Sequence, residues 1–482
     1  MRKIAVGVCA ALSLIAVAAA SAAPPDISAM SAEDRAFVAY AGPTLFFDHV
    51  EIVDGTGAPP TRDMALLVKD GRIAAIAPAA RLRPPAGATV IDGRGKTLLP
   101  GFVMVHEHMF YPAPKAGQYE EYPYSFTRLY LAGGTTTLRT GGSLAVYGDI
   151  NTAHAIAAGK QPGPDMDVTG PYLEGATLLT VKMASLKDAA DAERTVDFWA
   201  GEGVTSFKAY NYITRAELKA AIDAAHANGR KITGHLCSVT YAEAAAMGID
   251  NLEHSFAVAT DFVKGKQPDQ CPRSKETLAS LLALDPDGPE IGKLMRTLIA
   301  DHVALTSTLT VFETFAAGRP EAPEAALDLL TPPLRQAYQE TWRKVQTSQR
   351  GKDYAAFLPR LMRMEKRFLD MGATLLAGTD PTGYGGVVPG WSARREVQLL
   401  VEEGLPFPQA LKVASLNGAR YLGRDGDVGS IATGKRADLV LIDGDPAADA
   451  RALDHMPFVF KAGVGYRTQA IFDALKGKIG LY

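Results

Sequence analysis

The run Pro100-Gly101-Phe102-Val103-Met104-Val105-His106-Glu107-His108 joins a buried strand directly to metal-binding chemistry. Four apolar residues follow a Pro-Gly turn without the alternation of a half-exposed strand. That run is the first of the strand candidates. Residues two apart on a strand point to the same side. His106 and His108 can therefore reach one cation while Glu107 faces away.

Outward from this strand, short apolar or β-branched runs alternate with helical patterns. Thr135-Thr136-Thr137-Leu138, Met166-Asp167-Val168-Thr169, Ser206-Phe207-Lys208-Ala209 and Lys231-Ile232-Thr233-Gly234 come first. Asn251-Leu252-Glu253, Val303-Ala304-Leu305-Thr306 and Thr374-Leu375-Leu376-Ala377 complete eight strands. The clearest helix opens at Thr214, where Thr214 and Glu217 form a capping box, and stops at Gly229. This alternation predicts parallel strands with helical crossovers, in an α/β, (β/α)8 TIM-like barrel. Such a barrel takes about 250 residues, and residues 99–422 leave room for excursions at about 258–300 and 313–365.

The flanks differ. Residues 44–98 hold β-branched runs separated by Asp54-Gly55 and Asp70-Gly71, which predict hairpins. Near the other end, Gly429 to Gly434 leads into Ala437-Asp438-Leu439-Val440-Leu441-Ile442. Residues 23–98 and 423–482 are thus expected to pair into one small β-sandwich domain. At the start, Arg2 and Lys3 precede an uncharged apolar run from Ile4 to Ala19 and the small residues Ala20-Ser21-Ala22. Residues 1–22 accordingly read as a signal peptide for export, to a bacterial periplasm.

Composition excludes other classes. The chain is 47% hydrophobic and 21% charged with net charge −3, which gives no electrostatic case for nucleic acid or an anionic membrane surface. No second apolar stretch predicts membrane insertion after signal cleavage. Past the signal only Cys237 and Cys271 remain. That is no disulfide framework, and one bridge between them stays open. Cys237 itself reads as a small packing residue.

The chemistry lies in register. His106, His108, Lys208, His235, His254 and Asp380 all fall at or just beyond strand ends, which a barrel gathers on one face. Alone, each has an ordinary reading: a hydrogen-bonded histidine, a salt-bridged lysine, an N-cap aspartate. Their common register argues for a shared site. Imidazole and carboxylate ligands suit zinc, and also manganese, iron, cobalt or nickel. His49, His154, His226 and His455 lack this register, and His302 sits at the wrong end of its strand.

Those motifs resemble the amidohydrolase superfamily. Residues 100–108 are similar to its first-strand His-x-His signature and Gly134 to Thr137 to its second-strand motif. Gly234-His235, Glu253-His254 and Gly378-Thr379-Asp380 resemble its fifth-, sixth- and eighth-strand ligands, and Gly429 to Val440 its return into a composite β-sandwich. The resemblance implies two Zn2+ per subunit bridged by N6-carboxylysine at Lys208. In it His106, His108 and Asp380 hold the buried ion, and His235 and His254 the outer one. It implies a metal-activated hydroxide as nucleophile and Asp380 as general acid–base. A single-metal subtype with uncarboxylated Lys208 is the alternative.

The pattern looks most like the branch related to imidazolonepropionase and Xaa-Pro dipeptidases. Hydrolysis of a dipeptide or N-acyl amino acid is the preferred expectation. A cyclic amidase, a lactonase or esterase, and a catalytically silent binding protein are the alternatives. Tyr210, Tyr212, Arg139 and Tyr384 are the expected substrate contacts; Arg139 has an equally good reading as a structural ion pair, and Tyr384 and Trp391 as packing. Homo-oligomers are common among such barrels.

Overall fold

The computed structural model describes residues 26–115, 117–178 and 182–481. The signal peptide expected over residues 1–22 lies outside them. Among the described residues, no helix is long and apolar enough to cross a membrane.

Among the described residues, nine parallel strand segments, with a tenth at one edge, form the centre. They are β1 (Phe102–Glu107), β2 (Thr135–Thr140), β3 (Asp165–Asp167), β4 (Thr169–Glu174) and β5 (Ser206–Ala209), then β6 (Lys231–Gly234), β7 (Asn251–Glu253), β8 (Ala304–Ser307) and β9 (Leu375–Ala377). Helices such as Arg215–Ala227, with the capping box read from Thr214 and Glu217, cover their outer faces. The α/β reading and the strand order hold.

Closure does not hold as expected. The pairing runs β3-β2-β1 in one sheet and from β4 through β5, β6, β7 and β8 to β9 in another, edged by Ala184–Ser185. Two open sheets thus stand in place of one closed ring, for two local reasons. At Val168 the chain changes neighbours, from β2 for Asp165–Asp167 to β5 for Thr169–Glu174. Between β9 and β1 no ladder forms. Instead the N–H groups of Thr379 and Asp380, in the turn after β9, both donate to the His106 carbonyl at 3.1 Å.

The two flanks do pair, but as one nine-stranded sheet rather than a recognisable two-layer sandwich. Strand Lys96–Pro100 lies antiparallel to Leu439–Asp443, and Val38–Tyr40 to Val464–Arg467. The first of the β-branched runs forms one strand, Thr44–Ile52, whose pairing is irregular between Phe47 and Val50. The Asp70-Gly71 turn joins Thr61–Lys69 to Arg72–Pro78 with both φ values positive, at 50° and 76°, which suits the right-handed twist of the hairpin. Leu45, Phe47, Leu66, Leu98, Leu441 and Phe460 fill this sheet's own core.

The excursions at the mouth are largely helical. They include Ser274–Ala283, Pro289–Ala300, α1 (Leu309–Phe315) and, further on, α2 (Gln349–Asp370). A disulfide joins Cys237 to Cys271 with Cα atoms 4.8 Å apart. It ties the segment past β7 to the end of β6, so Cys237 is a cross-link rather than a packing residue.

Candidate active site

The strand ends deliver their side chains to one point. Ligand-capable atoms of His106, His254 and Asp380 lie within 4.8 Å of one another. His108 Nε2 is 3.1 Å from Asp380 Oδ1, and Lys208 Nζ is 3.1 Å from His106 Nε2. The His235 ring packs on His254 with centroids 4.5 Å apart. All six expected ligands are therefore gathered. Their grouping crosses the expected division into inner and outer sets, because Asp380 faces His106, His108 and His254 together.

Hydrogen bonds on the far side of each ring set its orientation. A carboxylate or carbonyl only accepts, so its histidine partner must donate. His106 Nδ1 is 2.7 Å from Glu253 Oε2 and His108 Nδ1 is 3.2 Å from the Gly142 carbonyl. His254 Nδ1 is 2.8 Å from Thr308 Oγ1. For His106 and His108 this turns Nε2 toward Asp380, at 3.8 and 3.1 Å, the arrangement that metal-binding imidazoles need, whereas the His254 atom nearest Asp380 is Nδ1, at 3.8 Å.

Protonation states agree. Burial pushes His108 down to about 4 and His235 down to about 3, and holds His254 well below the usual imidazole range. These rings stay neutral, the form that ligates. Burial opposes ionisation of Asp380, yet His106, His108 and His254 hold its carboxyl well below the usual range. Burial also brings Lys208 down to about 8, against the pull of Glu253 and Asp380. The donor set fits a divalent metal of the zinc type.

The backbone is forced where the ligands sit. His254 and Asp380 have φ values of 64° and 51°. A non-glycine residue in this region costs about 1–3 kcal/mol and persists only where its surroundings hold it. Glu107 supplies part of that hold. As expected it faces away from the two histidines, and it accepts from Thr379 N at 3.0 Å and Thr379 Oγ1 at 2.6 Å. Gly378 has no room for a side chain, since a Cβ there would overlap His106.

Beyond the cluster opens a cavity of about 700 Å3, lined among others by His108, Lys208, His235, His254 and Asp380. The family model described as "Amidohydrolase family" matches residues 357–477, a span that contains β9, Asp380 and the return into the terminal sheet. That match supports the amidohydrolase superfamily.

Relatives of the chain include an imidazolonepropionase of Mycolicibacterium smegmatis, 26% identical over 84% of this chain and 88% of the relative. An imidazolonepropionase of Stenotrophomonas maltophilia is 36% identical over 91 residues, which are 18% of this chain and 22% of that enzyme's length. Among solved structures, a Xaa-Pro dipeptidase with bound methionine in the active site aligns with TM-score 0.65 and 18% identity. That alignment covers 88% of this chain and 100% of the other.

The expected substrate contacts divide. Tyr210 and Tyr212 line the cavity, and the Tyr210 ring lies 4.8 Å from His235. Arg139 does not line it. The guanidinium is buried beneath the site, bound to Glu253 and donating Nε–H to the Val105 carbonyl at 2.8 Å. That ion pair is the one its structural reading expects. Tyr384 is also outside the cavity lining: its hydroxyl donates to the Thr314 carbonyl and its ring stacks on Tyr338 at 5.8 Å.

Two further residues belong to the site. Glu253 was read only as part of a motif, although it anchors His106 and pairs with Arg139. Tyr172 lies past the expected end of the third strand, which stopped at Thr169. Its hydroxyl is 3.5 Å from His108 Nε2. The overlooked signal was the run Tyr172-Leu173-Glu174 after Gly170-Pro171, a pair that reads as a stop.

Proposed function

We propose that this protein is a metal-dependent hydrolase that cleaves the C–N amide bond of a dipeptide or N-acyl amino acid. The convergence of His106, His254 and Asp380, the last two of which line the cavity, carries the reading. A divalent metal bound there supplies an acidified water and a polarised carbonyl. His106, His108, His235, His254 and Asp380 are its protein ligands in this reading. Two zinc ions bridged by carboxylated Lys208 are the preferred form. The depressed lysine favours it, because only a neutral amine forms a bond to carbon dioxide, with loss of one proton.

The chain's own groups then divide the work. Asp380, ionised and facing the histidines, takes a proton from the attacking water and returns it to the leaving nitrogen. Burial pushes the Tyr210 phenol well up, so it remains a hydrogen-bond donor toward a substrate oxygen. Tyr212 stands beside it on the cavity wall. The likeness to an imidazolonepropionase and to a Xaa-Pro dipeptidase, both named for chemistry at carbon–nitrogen bonds, supports the class. The N-terminal segment supports export to the periplasm.

A panel of dipeptides, N-acyl amino acids, cyclic amides and lactones, assayed before and after chelation, tests the proposal. Hydrolysis of acyclic amides that chelator abolishes and zinc restores is expected. Turnover confined to rings or esters would overturn the substrate assignment, and turnover indifferent to chelator would overturn the metal.

A further inference from the structure

The outer wall of the cavity has a chemical character of its own. The Phe312 ring lies 5.8 Å from His254, and Tyr354 follows at 6.4 Å from Phe312 and 5.3 Å from Phe315. Arg350 then stands with Cζ 5.6 Å from the Tyr354 ring centroid. These four side chains come from α1 and α2 and all line the same cavity. They form an aromatic path that starts at the ligand cluster and ends on a guanidinium.

Arg350 is exposed, and no ion pair or hydrogen bond engages its side chain among the described residues. Nearby charges are already committed. Glu313 on α1 accepts from both Arg319 and Arg395, at 2.8 and 2.9 Å through their Nε atoms. Arg273, the other arginine lining the cavity, donates Nε–H to Glu276 at 2.8 Å. Asp380 is the one carboxylate among the described lining residues, and it is held by the histidines. Apart from Lys208 within the ligand cluster, an anion entering the cavity therefore meets one uncommitted cation among the described residues, Arg350 at the end of the aromatic path.

We propose that Phe312, Phe315, Tyr354 and Arg350 form a distal subsite for an aromatic or large apolar group that ends in a carboxylate. The rings supply apolar contact and hold the guanidinium by cation–π attraction. Its planar fork then meets a carboxylate through paired N–H bonds. This deepens the hydrolase reading and rests on it for the identity of the ligand as substrate. The selected substrates are amides whose far end is both bulky and anionic.

Calorimetric titration of the intact, metal-loaded protein with 3-phenylpropanoate and with 3-phenylpropanamide tests the subsite without turnover. Arg350→Gln should weaken the carboxylate about tenfold, the scale of a charge-assisted hydrogen bond, and leave the amide unchanged. Tyr354→Leu should weaken both. Equal effects of Arg350→Gln on the two probes, no effect on either, or no binding of either probe to the wild-type protein would overturn the proposal. Should the probes behave as expected while no amide is hydrolysed, the subsite stands and the hydrolase reading falls.

Discussion

Asp380→Asn should lower kcat/KM for the best amide substrate by about a thousandfold or more, with the fold intact. The carboxylate faces three histidines, 3.1 Å from His108 Nε2 and 3.8 Å from His106 Nε2 and His254 Nδ1. An asparagine fits the same space and still accepts from Thr382 Oγ1, which bonds Asp380 Oδ1 at 2.8 Å. It cannot take a proton or supply a negative charge to a cation. Loss of a positioned proton acceptor alone costs about 10²–10⁴-fold, and a weakened metal site adds to it. Steady-state kinetics beside circular dichroism checks this. A folded variant within tenfold of wild type would remove Asp380 from the proton path.

The largest stability effect is expected from Arg139→Met. Glu253 is fully buried, and burial opposes its charge; His106 and Arg139 nevertheless hold it well below the usual carboxylate range. Its other neighbour is Thr233, whose hydroxyl donates to Oε1 at 2.5 Å. Methionine fills the volume of the arginine stem but leaves the carboxylate half compensated. Breaking a buried pair in this way costs about 3–5 kcal/mol. Urea unfolding should show that loss, while KM of the folded fraction stays unchanged because Arg139 lies outside the cavity lining. A rise in KM with little loss of stability would restore Arg139 as a substrate contact.

The legible part of the site was the part encoded locally. His106, His108, Lys208, His235, His254 and Asp380 each follow or end a short buried run, and for His106 and Lys208, which lie within strands, alternation fixes which way the side chain points. The capping box at Thr214 and the Asp70-Gly71 turn are local in the same sense and stand where they were read. What stayed hidden depends on partners distant in the chain. Nothing in Asn251-Leu252-Glu253 reveals that Arg139, 114 residues away, neutralises Glu253. The aromatic wall comes from helices that sequence showed only as excursions, so Arg350 could not be placed. Tyr384 failed for a related reason. Its loop follows Asp380, but the ring turns to stack on Tyr338 rather than face the ligands. The break at Val168 is likewise tertiary, because residues on its two sides pair with different strands.

Metal content per chain in the purified protein, measured by elemental analysis beside Lys208→Ala, tests the central claim most directly. About two metals per chain, falling sharply in the variant, is the predicted result for a pair bridged through Lys208. No metal in either protein after reconstitution with zinc and bicarbonate would contradict the account.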